Sequence, residues 1–269
     1  MELGKWIEIG RMDELGRMDT PAHRIDARIK AVTTIVFIVA VMSFPRYDVS
    51  ALTPFIFYPL ALVALGRIPL GIIFRKIIVA APFALVIGIF NPFFDRQPVL
   101  FIGSLAISGG WLSFASIMLR FVLTVSAALT LVACTGMYRL CAGLERIGLP
   151  QVFVVQLLLL YRYLFVITDE GARMMRSLEL RSAGPGSLRL RVYGSLTGLL
   201  LLRSMARAER VYRAMVSRGF SGEIIVMRRQ ASLQRTDWMF LIGWTAFFAA
   251  ARAWNLADYA ACLLMKGVL

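Results

Sequence analysis

The stretch LSFASIMLRFVLTVSAALTLVACT, residues 112–135, carries one formal charge, Arg120, in an otherwise apolar or hydroxylic run. Roughly 20 predominantly apolar residues suffice for an α-helix to cross a bilayer, so this run reads as a membrane-spanning helix. Working outward, comparable runs occupy Ile29–Phe44, Val49–Leu65 and Ile77–Phe94 on the N-terminal side, and a last one extends from Trp238 towards Met265. Several lie near the lower limit of about 17 residues, so the first hairpin is expected to be short or tilted. The whole composition agrees: of 269 residues, 59% are hydrophobic and only 17% charged, which describes a chain housed in lipid. Three Cys argue against a disulfide-built secreted domain, the apolar content against a disordered chain, and His23 as the sole His against a polyhistidine metal site.

The breaks between runs carry turn chemistry. Pro45-Arg46-Tyr47-Asp48 separates the first two, Gly66-Arg67-Ile68-Pro69 follows the second, and Asn91-Pro92 and Gly109-Gly110 bound a longer loop. Pro82 and Pro92 each remove a backbone donor, so the third run is expected to kink or end early. Before the first span, Met1–Lys30 balances six basic against six acidic residues. No apolar stretch sits near enough to the start to read as a cleavable signal peptide.

The net charge of +14 is unusual for so apolar a chain, and its location is informative. Between Gly136 and Thr236 sixteen arginines face six carboxylates, so most of the excess lies in one segment. The positive-inside rule puts that segment in the cytoplasm. Four preceding spans return the N-terminus to the same side, with Arg67, Arg75 and Lys76 also inside. A fifth span leaves the C-terminus outside, although Arg252 and Asp258 interrupt its run. The expected organisation is a cytoplasmic segment over 1–28, transmembrane helices 1–4 over 29–135, a basic cytoplasmic or interfacial helical region over 136–236, and a C-terminal transmembrane helix over 237–269.

Within the basic region Val152–Ile167 is apolar apart from Gln156, Tyr161, Arg162 and Tyr163. It reads as a helix lying against or dipping into the membrane. Two similar segments follow: Arg173, Arg176 and Arg181 before Gly184, and Arg210, Arg213 and Arg218 before Gly219, with starting points 37 residues apart. In both, the arginines fall at i, i+3 and i+8, which spreads them over a face of roughly 140° and leaves an apolar flank. Glycine at or just past the end suits a helix terminus that turns through positive φ. Taken singly, either motif also reads as a solvated cationic cap on a helix C-terminus. Two copies point instead to two similar partner surfaces, such as a symmetric partner dimer supplies. Arginine suits that task because its rigid fork holds a carboxylate bidentately.

Other uses of the basic region fit less well. It contains no Lys and its aromatics lie mostly in apolar runs, which disfavours nucleic acid. Attraction to anionic lipid contributes but does not require matched helix ends. A voltage sensor needs a regular Arg series inside a span. No G-x-x-x-x-G-K-[ST] loop occurs, so ATP is not bound here through a P-loop, and a single His leaves neither H-E-x-x-H nor a Ser-His-Asp triad. Cys134 and Cys141 read as packing residues, because two thiols without further ligands do not make a metal site. Arg120 is an intramembrane charge and so functional by default; the competing reading is snorkelling or a pairing with a neighbour such as Asp95. His23 reads as a polar residue of the N-terminal segment.

Across nearly its whole length the chain resembles the transmembrane (T) components of energy-coupling factor (ECF) transporters, in the CbiQ-type cobalt/nickel branch. The resemblance rests on His23-Arg24-Ile-Asp26-Ala-Arg28-Ile-Lys30, Ser43-Phe44-Pro45-Arg46-Tyr47, Asn91-Pro92 with Asp95-Arg96, Tyr161-Arg162-Tyr163 followed by Asp169-Glu170, and the two arginine motifs. Ser217-Arg218-Gly219-Phe220 matches the family's Ala-Arg-Gly-like signature; Leu180-Arg181-Ser182-Ala183-Gly184 departs from it by setting its glycine three residues after the arginine. The resemblance implies an all-α polytopic membrane protein with about five transmembrane helices and a helical cytoplasmic coupling region, in the cell inner (cytoplasmic) membrane. It implies that Arg181 with Gly184 and Arg218 with Gly219 couple to two ATPase subunits (CbiO-like), which bind the ATP. It also implies a substrate-binding membrane subunit (CbiM-like, with or without a CbiN-like protein) that holds the metal. Asp26, Arg28, Arg120, Arg162 and Glu170 stand as structural or coupling candidates. On this reading the chain is not an enzyme and carries no cofactor or metal of its own. The alternatives are a self-contained secondary carrier or channel, a T component for another micronutrient, and an integral-membrane enzyme. The carrier would predict repeated membrane halves, whereas repetition is found only among the cytoplasmic helices.

Overall fold

Asp26 starts the helical body: its carboxylate accepts the backbone N–H of Arg28 at 2.9 Å and so caps the first helix. In a computed structural model of the chain, residues 20, 25–45, 48–94, 98–102, 105–181, 190–222 and 233–253 are described. In chain order the elements are α1 (Ala27–Met42), a 3-10 turn (Ser50–Ile56) running into α2 (Phe57–Gly66), α3 (Leu70–Ile89), α4 (Asn91–Phe94), β1 (Pro98–Ile102), β2 (Leu105–Ser108), α5 (Gly109–Thr135), α6 (Met137–Ile147), α7 (Gln151–Arg181), α8 (Leu190–Val216) and α9 (Arg235–Ala253). They fall into two units, residues 12–143 with 231–269, and residues 1–11 with 144–230.

In the first unit α5 packs against α1, α2, α3 and α4, while α9 packs on α1. The core is aromatic. Phe37 stacks on Tyr58 at 4.8 Å between centroids, Phe55 stacks on Phe248 at 5.7 Å, and Tyr58 meets Trp244 edge-on at 5.0 Å. In lipid the hydrophobic effect gives little reason for apolar helices to associate, so such close contacts carry the association; each aromatic pair adds about 0.5–1.5 kcal/mol in soluble proteins. The buried Tyr58 hydroxyl is satisfied by Thr34 Oγ1 at 2.8 Å.

Two local details explain where helices stop. A Cβ on Gly66 would lie 2.7 Å from Cys134 Sγ, so glycine is needed inside α2 to let it approach α5. The left-handed turn therefore falls on the next residue, Arg67, at φ 50°. The third apolar run ends before Pro92 as its prolines predict, although α3 continues through Pro82 and begins earlier than the run, at Leu70.

The structure differs from the sequence reading in two places. The segment expected as a long loop holds an antiparallel hairpin, with Pro98 opposite Ser108 and Ile102 opposite Leu105. Its two apolar runs flank Gly103-Ser104, a connection of hairpin length and composition. The segment Val152–Ile167, expected as a short interfacial helix, is the first half of the 31-residue α7. No proline lies between Ile167 and Arg181, so nothing ends the helix there; the first Gly-Pro pair is Gly184-Pro185, past its last residue. Among the described residues α3, α5 and α7 are long and apolar enough to cross a membrane, with Ser50–Gly66 as a shorter apolar helix. At 16 residues α1 is shorter than a full span, and α9 carries Arg235, Asp237 and Arg252. The chain is thus a helical, polytopic membrane protein. The end of the last apolar run, beyond Ala253, lies outside the described residues.

Candidate functional site

The arginine-rich helices α7 and α8 form the second unit. Glu170 lies just past the apolar part of α7, and both of its carboxylate oxygens are occupied. Arg173, one turn on, donates to Oε2 at 2.9 Å, and Arg203 of α8 donates to Oε1 at 2.7 Å. Arg207, one further turn along α8, sits 3.6 Å from Oε2. These hydrogen bonds, from Arg173 first and then Arg203, hold the Glu170 carboxyl below the usual glutamate range. Beside this cluster Gly171 approaches Leu200, to which a Cβ would come within 3.5 Å. The helices enclose a groove of about 570 Å³, lined by Glu170, Arg173, Ser177 and Arg181 of α7 and by Ser195 and Arg203 of α8 among others.

The end of α8 is built from local chemistry. Phe220 N–H returns to the Met215 carbonyl at 3.0 Å and Gly219 N–H to that of Val216 at 2.9 Å, with Gly219 at φ +81°. This is the Schellman arrangement, with Gly219 in the left-handed position and Arg218 immediately before it. Arg218 is exposed, and so is Arg181, the last residue of α7. Gly184 lies outside the described residues. The groove accompanies α7 from Glu170 to Arg181 and α8 from Arg203 back to Val192, so Arg181 and Arg218 leave the Glu170–Arg203 tie in opposite directions along the pair. At 1.5 Å per residue they lie roughly 16 Å and 22 Å from it along their own helices.

The two Arg-x-x-Arg segments are less alike in space than in sequence. In the first, the leading Arg173 is drawn to Glu170; in the second, it is the middle arginine, Arg213, that pairs with Glu209. Arg162 is exposed on α7 and stands apart from the Glu170 cluster.

In the first unit the N-terminal candidates meet a residue the sequence reading did not single out. Asp237 is 3% exposed; its Oδ2 accepts the Gln234 N–H at 2.9 Å, capping α9, and its Oδ1 accepts the Asp26 N–H at 3.0 Å. It therefore joins the starts of α9 and α1. Arg28 Nε lies 3.8 Å from Asp26 Oδ1. Lys30, 1% exposed, donates to the Cys134 carbonyl at 3.1 Å, one of the orphan acceptors at the end of α5. Gln-x-x-Asp at 234–237 was the available signal for Asp237, but its second contact depends on tertiary packing.

Arg120 serves another helix end. It donates to the Phe44 carbonyl at 3.1 Å and the Pro45 carbonyl at 2.5 Å, where α1 has run out of backbone partners. Arg252 of α9 joins it, donating to Ser43 at 3.2 Å with its guanidinium 4.6 Å from the Phe44 ring centroid. Asp95, weighed as a partner for Arg120, lies outside the described residues. Cys134 and Cys141 are both free and buried.

A profile of the family described as CbiQ, cobalt transport protein, matches residues 18–232 and so takes in most of both units. The chain belongs to the CbiQ family. CbiQ proteins are the transmembrane components of cobalt/nickel ECF transporters, which work in membrane complexes with ATPase and other subunits. Among relatives, the chain is 31% identical over 160 residues to a nickel permease, LarQ, of Lactiplantibacillus plantarum, covering 53% of this chain and 56% of that protein. It is 29% identical over 232 residues to the uncharacterized protein MJ1571 of Methanocaldococcus jannaschii, covering 82% of this chain and 78% of that one. A second protein of that organism, MJ1089, is 30% identical over 106 residues, 39% of each chain. The match thus spans little more than half the length of the nickel permease.

Proposed function

We propose that this CbiQ-family chain is the non-catalytic coupling subunit of an ATP-driven ECF importer for cobalt or nickel ions, carrying the motion of two ATPase subunits to a substrate-binding membrane subunit. The observation that carries this reading is the pair of exposed arginines, Arg181 and Arg218, at the ends of two helices tied together at Glu170–Arg203. They leave that tie in opposite directions, which suits one contact on each of two like partners. A guanidinium at each tip can hold a partner carboxylate bidentately. The tie makes the two helices one mechanical body, so displacement at either tip is passed towards the membrane along α7.

On this reading the basic unit lies on the cytoplasmic side, where ATP is available, and Co²⁺ or Ni²⁺ is bound by the partner membrane subunit. Cobalt is favoured by the family description, and nickel by the name of one relative. The test is metal uptake by cells carrying the full complex with Arg181→Ala and Arg218→Ala combined. Uptake should be lost and ATPase co-purification weakened while membrane insertion of the chain is unchanged. Normal uptake by the double variant sinks the proposal.

A further inference from the structure

Two polar levels bound the first unit along α5. At one, the Asp237 carboxylate joins the starts of α9 and α1, and Lys30 donates to the Cys134 carbonyl near the end of α5. At the other, Arg120 of α5 and Arg252 of α9 donate to the Phe44, Pro45 and Ser43 carbonyls where α1 ends. Three helices therefore measure one interval. At 1.5 Å per residue, Arg120 to Cys134 spans roughly 21 Å, Asp237 to Arg252 roughly 22 Å and Asp26 to Ser43 roughly 25 Å. The hydrocarbon core of a bilayer is about 30 Å thick. Tilting the helices only shortens the interval further along the membrane normal.

The arginine level does not suit undisturbed hydrocarbon. Arg120 and Arg252 each commit only Nη2 to carbonyls, which leaves most donors of both forks to water or lipid headgroups. The same hydrogen bonds pin the guanidinia to the end of α1, so they are not free to snorkel away from it. The chain turns there through Pro45-Arg46-Tyr47-Asp48, and a turn facing lipid tails would strand its backbone polar groups. Along its contact with α3, α5 reaches a different level. A Cβ on Gly88 of α3 would meet Phe114 at 2.9 Å and Met118 at 3.3 Å, and Asn91, just past the end of α3, donates to Ser113 at 3.4 Å. From Ile77 to Phe90 α3 and its end carry no charge. Ser113 lies beyond Arg120 by roughly 10 Å of helix, so the apolar surface ends in a step.

We propose that the chain thins the bilayer along its α1–α9 face, where the headgroups of one leaflet are drawn in to Arg120 and Arg252, roughly 5–10 Å below their level beside α3. The partner is bilayer lipid: its phosphates meet the spare guanidinium donors at the depression, and its shortened tails lie against Ile35, Val39 and Met42. These side chains line one face of α1 and are exposed by 54%, 63% and 53%. The inference rests on the chain being a membrane protein and is independent of the coupling role proposed above.

The test measures depth with spin labels on the full chain in dioleoylphosphatidylcholine vesicles, from collision rates with oxygen and with a water-soluble nickel chelate. Labels are attached one at a time through Met42→Cys, Phe83→Cys, Ile35→Cys or Phe74→Cys, with Cys262→Ser in the background; all four replaced side chains are exposed. Counting back from Phe44 opposite Arg120, and from Asn91 opposite Ser113, Met42 stands level with Val122 and Phe83 with Phe121. The label at Met42 should lie among the headgroups and the label at Phe83 roughly 5–10 Å deeper in hydrocarbon. By the same count Ile35 stands level with Leu129 and Phe74 with Thr130, and labels there should share one depth. Equal depths at Met42 and Phe83 mean a flat membrane and overturn the proposal. A displacement between Ile35 and Phe74 as large as that between Met42 and Phe83 means a tilted unit in a flat membrane, which overturns it as well.

Discussion

Arg203 of α8 donates to Glu170 of α7 at 2.7 Å, joining two helices whose other cationic groups would repel. Arg173 and Arg207 lie on the same carboxylate, so removing its charge should do more than delete one exposed ion pair. Glu170→Gln leaves three guanidinia around a neutral amide, and the helices should separate. Spin labels at Ser177 and Ser195, which line the intervening groove, should report a longer and broader distance distribution. The exchanged pair Glu170→Arg with Arg203→Glu should restore much of the wild-type distribution. Recovery no better than with Glu170→Gln would show that the carboxylate does not hold the pair.

The same cluster has a defined pH response. Hydrogen bonds from Arg173 and Arg203 depress the folded-state pKa of Glu170 relative to the unfolded chain. A depressed carboxyl contributes stability that is fully present above the unfolded value and is lost as pH falls through the folded one. The α7–α8 distance should therefore be constant from neutral pH down through the ordinary glutamate range and lengthen only below it. Lengthening between pH 7 and 5 would contradict this assignment.

How much of this was legible in sequence depended on how local each feature is. The end of α8 was readable because Arg218-Gly219 contains its own stop signal, and the Schellman bonds span only Met215 to Phe220. The runs forming α3 and α5 were readable from composition. Glu170 was noticed as part of a motif, but its partners Arg203 and Arg207 lie more than thirty residues on, and only the pairing of α7 with α8 brings them to it. Arg120 was flagged as an intramembrane charge, yet its partners are backbone carbonyls at Phe44 and Pro45, which no side-chain pattern announces. Val152–Ile167 reads as too short for a span because Arg162 and its neighbours interrupt the apolar run, whereas the helix itself continues without a break to Arg181.

Arg120 and Arg252 converge on consecutive carbonyls of one helix end, so their substitutions should couple. Arg120→Ala should cost about 1–3 kcal/mol, since it removes two charge-assisted hydrogen bonds, one of them part-buried. Arg252→Ala should cost less, since its single hydrogen bond is solvent-exposed in the unit. The double variant should depart from the sum of the two by at least 0.5 kcal/mol, as expected for residues sharing a site. Thermal unfolding in detergent measures all three; strict additivity would mean that the two arginines act on separate elements.

Gly66 and Cys134 test the α2–α5 contact. Gly66→Ala places a methyl 2.7 Å from Cys134 Sγ and should destabilise the chain by roughly 1–3 kcal/mol through overpacking. Cys134→Ala in the same background removes that sulfur and should recover at least half of the loss. Failure to recover would locate the strain at Ile68, whose side chain also stands within 3.2 Å of the added carbon.

Gly219 separates the shape of the α8 tip from its charge. No atom lies within 4 Å of a Cβ built there, so an alanine meets no clash, and its penalty is conformational, from φ +81°. Holding an L-residue in that region costs about 1–2 kcal/mol, and asparagine tolerates it better than alanine. Gly219→Ala should therefore release the Phe220-to-Met215 hydrogen bond and speed amide exchange at Phe220 about tenfold, whereas Gly219→Asn should have a smaller effect. Under the coupling reading, uptake should fall in the same order with Arg218 still present, because the guanidinium would no longer be aimed by a fixed helix end. If Gly219→Ala speeds exchange at Phe220 but leaves uptake intact, Arg218 acts through its charge alone and the geometry of the tip is dispensable.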